Sequence, residues 1–354
     1  VNRQRIYDYY AKEADYFRKQ PNPPMLLPPY PGLDGGVHGH WGNQNESTWA
    51  DGRWNDTTLG SVMCGVFRGA GVVVPKGICL QLGGKGESSA CFDPQTLCYE
   101  AFWSGGFVRF SDVRHGFMEG LILSGEPLPR PEGAKPEKPF IYNGFYRHGK
   151  RGLISYSIDG EEWLDAPWIE DGEFVRNAFP AASHPLRDLT KGGPAEWPQR
   201  FVVQGESGKT RPYATDTIPP PLDNPWNALL FFGDHDFLAD GTALLSTMQG
   251  DVWRVEGLDD DLEHVVWRRV ASGLHQALGL VVAEDRIYVL GRDQVTELQD
   301  RNGDGEADFY RCVNNSFMSS AAGHDFVCGL ERDKNGDFYS ASGPQGLIRI
   351  PGDG

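Results

Sequence analysis

The run Asp300-Arg301-Asn302-Gly303-Asp304-Gly305-Glu306-Ala307-Asp308 carries the most specific chemical pattern in the chain. Oxygen-bearing side chains recur at alternate positions from Asp300 to Asp304 and again at Asp308, and Gly305 allows the sharp turn such a loop needs. Ca²⁺ is a hard cation that takes about six to eight oxygens, and this spacing wraps them around one point. The candidate calcium ligands are Asp300, Asn302, Asp304, Glu306 and Asp308. Arg311 stands where an EF-hand places its final glutamate, and Phe309-Tyr310 reads as a strand. A bound ion would therefore serve as a structural clip. A polar hairpin turn without metal is the other reading.

A second pattern is a unit that recurs three times, at His235, His275 and His324. Each copy has a histidine, a short apolar run, a turn and alternating strand residues. The turns are Ala239-Asp240-Gly241, Ala283-Glu284-Asp285 and Lys334-Asn335-Gly336. Histidine spacings of 40 (235 to 275) and 49 (275 to 324) match a β-propeller blade of about 40–50 residues. Histidines at the start of the first strand would line a propeller's central channel. There His235, His275 and His324, with Arg292, would bind a metal, polarise a carbonyl or supply a general base. Alternatively each histidine is structural and hydrogen-bonds between neighbouring blades. Asp234, Asp236 and Asp325 would orient the rings in either case.

His38-Gly39-His40 reads as a packed loop or as a copper- or zinc-type pair. Trp41, Trp49 and Trp54, interleaved with Asn and Asp, also fit a platform for a glycan. No Gly-x-Ser-x-Gly elbow, Walker loop or dinucleotide fingerprint in the right context occurs.

The elements that must position these groups are strands. Over its 354 residues the chain has 45 Gly and 25 Pro, a turn-rich β composition. A net charge of -16 excludes nucleic acid as a partner, because phosphate binding needs a basic surface. No apolar run approaches the roughly 20 residues of a membrane helix, so no transmembrane segment is expected. Arg3 to Lys19 is the one convincing helix, with Ile6, Tyr9, Tyr10, Ala14, Tyr16 and Phe17 as its apolar stripe.

The expected fold is mostly β: an N-terminal antiparallel β-sandwich-like domain, then part of a β-propeller, with one short N-terminal helix. The divisions are 1–58 (helix and Pro/Gly/Trp-rich strap), 59–209 (sandwich), 210–224 (proline-rich linker) and 225–354 (about three blades). The six cysteines, Cys64, Cys79, Cys91, Cys98, Cys312 and Cys328, contain no Cys-x-x-Cys, which removes a c-type haem from this chain. Their local clustering suggests disulfides, with Cys312–Cys328 as a staple between blades, in an oxidising compartment. Buried thiols are the other account. Since Val1 is not Met, a processed or excised start is expected.

The stretches NPWNALLFFGDHDFLADGTALLSTMQGDVWRVEGL, GLHQALGLVVAEDRIYVLGRDQVTELQDRNGDGEADFY and AGHDFVCGLERDKNGDFYSASGPQGLIRI resemble the propeller of planctomycete and verrucomicrobial putative membrane-bound dehydrogenases, a haem-binding family. Their propellers are similar to those of sorbosone and soluble glucose dehydrogenases. HWGNQNESTWADGRWNDTTLGSVMCGVFRGAGVVVPKG and FYRHGKRGLISYSIDG resemble the uncharacterised β domain that precedes such propellers. The resemblance implies an exported, periplasmic or extracellular redox protein acting on sugars or related alcohols. It further implies pyrroloquinoline quinone as cofactor, haem c on a separate module or chain, and a c-type cytochrome as partner. A propeller of this type has around six blades, so the remaining blades or another subunit would be partners. A non-catalytic glycan-binding or assembly module, with the propeller as scaffold, is the alternative.

Overall fold

The structure is a computed structural model that describes residues 3–19, 57–111, 119–209, 214–259, 261–322 and 325–352. His324 and the His38/His40/tryptophan cluster up to Trp54 lie outside the described residues. The chain divides into two units, Val1–Asp51 and Gly52–Gly354.

In the first unit, α1 (Arg3–Arg18) is the expected helix. Pairs one turn apart support it: Gln4 donates to Asp8 at 2.9 Å, Tyr9 to Glu13 at 2.8 Å and Lys19 to Asp15 at 2.6 Å. Tyr9, Tyr10 and Tyr16 of the expected apolar stripe are exposed.

The second unit is built of β-meanders, because the sequence alternates short apolar runs with residues that accept positive φ. Ala70-Gly71, Asp159-Gly160, Asp171-Gly172 and Glu284-Asp285 all have both residues at positive φ, the backbone of tight hairpins. Strands β1 (Val62–Gly69), β2 (Val72–Leu82), β3 (Ser88–Asp93) and β4 (Cys98–Ser104) form the first meander. β5 (Val108–Phe110), β6 (Leu121–Leu123) and β7 (Glu126–Leu128) complete a seven-stranded sheet in the order β5-β6-β1-β2-β3-β4-β7. It is antiparallel except where β6 runs parallel to β1.

The second meander is β8 (Phe140–His148), β9 (Arg151–Ile158), β10 (Glu161–Glu170) and β11 (Glu173–Pro180). Then follow β12 (Phe201–Val203) and a third meander, β13 (Phe232–Phe237), β14 (Ala243–Thr247), β15 (Val252–Glu256) and β16 (Val265–Ala271), with β12 on its outer edge. The fourth is β17 (Gly279–Ala283), β18 (Arg286–Leu290), β19 (Val295–Gln299) and β20 (Phe309–Asn314). The last has three strands, β21 (Val327–Arg332), β22 (Phe338–Ser342) and β23 (Gly346–Ile350).

The first strands of the last three meanders are neighbours, β13 beside β17 and β17 beside β21. This is the inner-strand arrangement of a partial, propeller-like β fold. The sheet β17–β20 is covered on both faces. Leu280, Val289 and Leu298 join the largest core, while Tyr288, Leu290 and Val295 pack against Val327, Leu330, Phe338 and Ile350 of the last sheet. Full burial of each such side chain contributes roughly 1.5–3 kcal/mol.

The expected break at 210–224 does not separate two bodies. β8 pairs with β20 through Tyr146↔Phe309, Phe145↔Tyr310 and Gly144↔Arg311, joining the second and fourth meanders into one eight-stranded sheet. Aromatic stacking strengthens the joint, with ring centroids 4.5 Å apart for Phe145–Tyr310 and 4.0 Å for Tyr146–Phe309. Gly144 is required there. Its φ is +127°, and a Cβ would lie 2.1 Å from the Tyr310 carbonyl oxygen. The largest core accordingly mixes residues from both expected domains, from Val62 and Tyr142 to Leu244 and Tyr310.

Candidate functional site

The candidate channel residues fall in unlike places. His235 lies within β13 and is exposed, its ring 6.0 Å from that of Phe237. Its acidic neighbours do not orient it. Asp234 accepts the N–H of Leu280 at 3.0 Å, and Asp236 accepts that of Val282 at 2.7 Å, so both fasten β13 to β17.

His275, just before β17, is 2% exposed, and neither ring nitrogen has a hydrogen-bond partner. It borders a cavity of about 20 Å³ together with Cys64, Leu121, Met248 and Gln276. That is room for about one water. Burial, reinforced by the cations of Arg292 and Lys76, pushes its imidazole well below the usual histidine range, so the ring is neutral at pH 7. Among the described channel candidates, Arg292 is the one brought against it, through its backbone N–H on the His275 carbonyl at 2.8 Å.

The Arg292 guanidinium points elsewhere. It donates to the carbonyls of Ser320 (3.0 Å) and Ala322, and to Gln276 Oε1 at 3.3 Å. Lys76, buried on β2, donates through Nζ to the carbonyls of Asn315 (2.6 Å) and Phe317 (2.8 Å). Arg68 on β1 donates to the Ala321 carbonyl at 2.7 Å. Three cations thus hold the 315–322 loop between β20 and β21 by its main-chain oxygens. Burial lowers the pKa of Lys76, and its four-carbon stem carries the ammonium to two carbonyl acceptors, the kind of partner a buried charge requires. Asp293 lies near this ammonium. Burial raises its carboxyl to about 6 against the opposing pull of Lys76.

Side-chain bonds finish the loop. Ser320 N–H donates to Asp325 Oδ2 at 2.9 Å, and the Gln345 amide bonds both the N–H and the carbonyl of Met318 at 2.9 and 3.0 Å. The loop so fixed lines a cleft of about 680 Å³ with Gln95, Ser316, Met318, Ser319, Asp325 and Pro344 on its wall. This volume suits a small organic ligand. Asp325 is 7% exposed, and its second oxygen, Oδ1, has no hydrogen-bond partner; Ser319 Oγ is also without one. Buried polar atoms of this kind cost about 1–3 kcal/mol when left unpaired, and both atoms lie just beneath the surface of the cleft. The sequence marked Asp325 only as a neighbour of His324. Lys76, Arg68 and Ser319 carried no local signal, because their roles depend on a loop more than 200 residues away in the chain for the two cations.

The 300–308 loop is also a fastening. Asp300 accepts backbone N–H groups from Asn302, Gly303 and Gly305, and Asp304 accepts that of Glu306. Asp308 accepts Gly193 N–H at 3.0 Å and Arg301 N–H at 2.8 Å, while Asn302 donates to the Gly193 carbonyl at 2.6 Å. Glu306 accepts Trp197 N–H at 2.8 Å and lies 4.0 Å from Arg147. The Asp308 and Glu306 oxygens therefore fasten the 193–197 segment, while those of Asp300 and Asp304 accept from the loop's own backbone. Among the described residues no group of three or more His, Cys, Asp or Glu side chains is placed to hold a metal, so the residues do not fit a calcium shell as arranged.

All six cysteines are free thiols. Cys312 packs on the side of the largest core, whereas Cys328 is exposed on β21, so the expected Cys312–Cys328 staple is not formed.

No family model matches the chain, and no curated protein matches it. Solved structures give distant likenesses. PorZ, a bacterial surface component of the type-IX secretion system of Porphyromonas gingivalis, is 9% identical over 81% of this chain and 40% of its own, with a TM-score of 0.26. The chain therefore spans less than half of that protein's length. A putative 6-phosphogluconolactonase from Bacteroides uniformis is 11% identical over 76% of this chain and 68% of its own, with a TM-score of 0.23. Apo AztD from Citrobacter koseri is 12% identical, covers 77% and 82%, and has a TM-score of 0.22. At these scores none of them informs the chemistry of this chain. No helix among the described residues is long and apolar enough to cross a membrane.

Proposed function

We propose that this chain is a binding and assembly module, with a carbohydrate as the ligand of the cleft beside the 315–322 loop. The observation that carries this reading is the contrast between two spaces. The space beside His275 holds about 20 Å³, while the cleft at Asp325 holds about 680 Å³. A redox reaction on a sugar needs substrate and cofactor to reach the catalytic base within hydrogen-bond range. His275 is sealed, His235 lies on an exposed strand, and Arg292 is committed to loop carbonyls.

The cleft offers what a neutral sugar requires. Ser316 adds an exposed hydroxyl, Met318, Phe317 and Pro344 provide apolar surface for C–H faces, and Asp325 Oδ1, unpaired just beneath the wall, would accept a sugar hydroxyl once its side chain turns outward. Anchored main-chain groups on six loop residues (Asn315, Phe317, Met318, Ser320, Ala321 and Ala322) fix the wall before ligand arrives, which lowers the ordering cost of binding. Calorimetric titration with neutral saccharides tests the reading, and Asp325→Asn is the variant expected to weaken binding.

The assembly half rests on the last sheet. Its inner face packs on β17–β20, but Cys328, Ala341 and Leu347 stand in register across β21, β22 and β23 on the other side, and all three are exposed. Leu347 is 76% exposed. A further β-meander stacked on this face would repeat the packing that already joins the third, fourth and last meanders.

A further inference from the structure

We propose that Cys79 and Cys91 are joined by a disulfide when the chain folds in an oxidising environment, locking β2 to β3. The register sets Cys79 directly opposite Cys91. Which kind of opposition this is follows from the flanking bonds. Gln81 N–H donates to the Ser61 carbonyl, on the β1 side, so Cys79, two residues earlier on the strand, also directs its backbone groups toward β1. Gly105 N–H donates to the Glu87 carbonyl, on the β4 side, so Cys91, at the same parity as Glu87, directs its groups toward β4. The two cysteines therefore form a pair without mutual backbone hydrogen bonds. In such pairs the Cα atoms are about 4.5 Å apart and the side chains closest. A disulfide spans Cα separations of about 4.4–6.8 Å.

The surroundings agree with this pairing. Both side chains are fully buried on one face, in the cluster of Met63, Phe67, Ala101 and Trp103. Burial first, and then the neighbouring Cys79 thiol, raises the Cys91 thiol well above its ordinary range. Gly77 leaves the necessary space, since a Cβ there would lie 2.9 Å from Cys91 Sγ. The other cysteines are placed apart. Cys64 belongs to the opposite face of β1, Cys98 bonds the Thr96 carbonyl, and Cys328 is exposed.

In forming the bond, each thiol gives up one proton and one electron, and the new Sγ–Sγ bond is made. The oxidant is a disulfide, such as oxidised glutathione, whose own sulfur–sulfur bond breaks as it takes the two electrons and two protons. Because both sulfurs are sealed in the folded sheet, this exchange takes place before the hairpin is covered.

The experiment is refolding of the whole chain with oxidised glutathione, alkylation of remaining thiols, and trypsin digestion without reductant. Cleavage after Lys76, Lys85 and Arg109 should yield Gly77–Lys85 linked to Gly86–Arg109, two hydrogens lighter than the sum. Fragmentation should place the link at Cys91, with alkylated Cys64, Cys98, Cys312 and Cys328. Six alkylated cysteines in the refolded protein, or Cys79 linked to any other cysteine, would overturn the proposal. The double variant C79A/C91A keeps the test independent of a misfolded single mutant. It should melt at the temperature of the reduced wild type, and the oxidised wild type should melt several degrees higher. Equal melting of oxidised and reduced wild type, with the link absent, would also overturn it.

Discussion

Asp236 on β13 accepts the backbone N–H of Val282 on β17 at 2.7 Å, across the boundary between successive meanders. Asp234 does the same for Leu280. The acidic residues around the repeat histidine thus join one blade to the next, and charge-assisted bonds of this kind are the stronger class. Asp236→Ala should lower stability by about 1–3 kcal/mol by leaving the Val282 N–H without its acceptor. Asp236→Asn, which keeps an acceptor oxygen, should lose less. Equal denaturation midpoints for Asp236→Ala and wild type would remove this role.

The 300–308 loop is held by hydrogen bonds to its own backbone and to the 193–197 segment, so its stability should not depend on an ion. Excess chelator should leave the melting temperature unchanged. Asp308→Ala, which strips the acceptor from both Gly193 and Arg301, should cost about 1–3 kcal/mol per bond network lost. A fall in melting temperature on chelation would restore the calcium reading.

Acid should act through His275. Its folded pKa lies well below the unfolded value of 6.5, with burial the main cause. Below about pH 6.5 the unfolded chain takes up a proton that the folded chain refuses. Stability is therefore complete above that pH and declines as pH falls, by up to about 1.4 kcal/mol per pH unit for this one group. Asp293 works in the opposite sense. Its carboxyl is raised to about 6, so protonation between there and the ordinary carboxylate range favours the fold. The difference between wild type and His275→Gln isolates the histidine: the variant should lose less stability between pH 7 and pH 5. Parallel profiles would show that His275 is hydrated or paired in solution.

On the last sheet, Leu347→Lys should change the stability of the isolated chain by less than about 0.5 kcal/mol, the usual range for surface substitutions. It should also reduce binding of a hydrophobic dye. A loss above 1 kcal/mol would mean that Leu347 already packs inside the chain.

Much of the β architecture was legible because its signals are local. Asp159-Gly160 and Asp171-Gly172 announce hairpins, and both have the positive φ that such turns need. The repeat around His235 and His275 likewise marks successive meanders. The joint between β8 and β20 was not legible, because Phe145 and Tyr310 are 165 positions apart in the chain (310 less 145) and strand pattern does not say which edges meet. Pro219-Pro220-Pro221 therefore read as a linker between domains, although β8 before it and β20 after it pair in one sheet. The site divided in the same way. Sequence spacing found the histidines and the acidic loop, but the direction of a side chain decides between an open channel and a filled core. Arg292 shows this most clearly: it was found as a channel residue, and its guanidinium serves the loop.

The central claim is that ligand binds at Asp325 and not at the repeat histidines. Isothermal titration of wild type, Asp325→Asn and His275→Gln with a panel of neutral mono- and oligosaccharides tests it most directly. At least one saccharide should bind wild type, Asp325→Asn should weaken it about tenfold or more, equivalent to about 1.4 kcal/mol, and His275→Gln should leave it unchanged. Absence of binding across the panel, or binding lost in His275→Gln and retained in Asp325→Asn, would contradict the account.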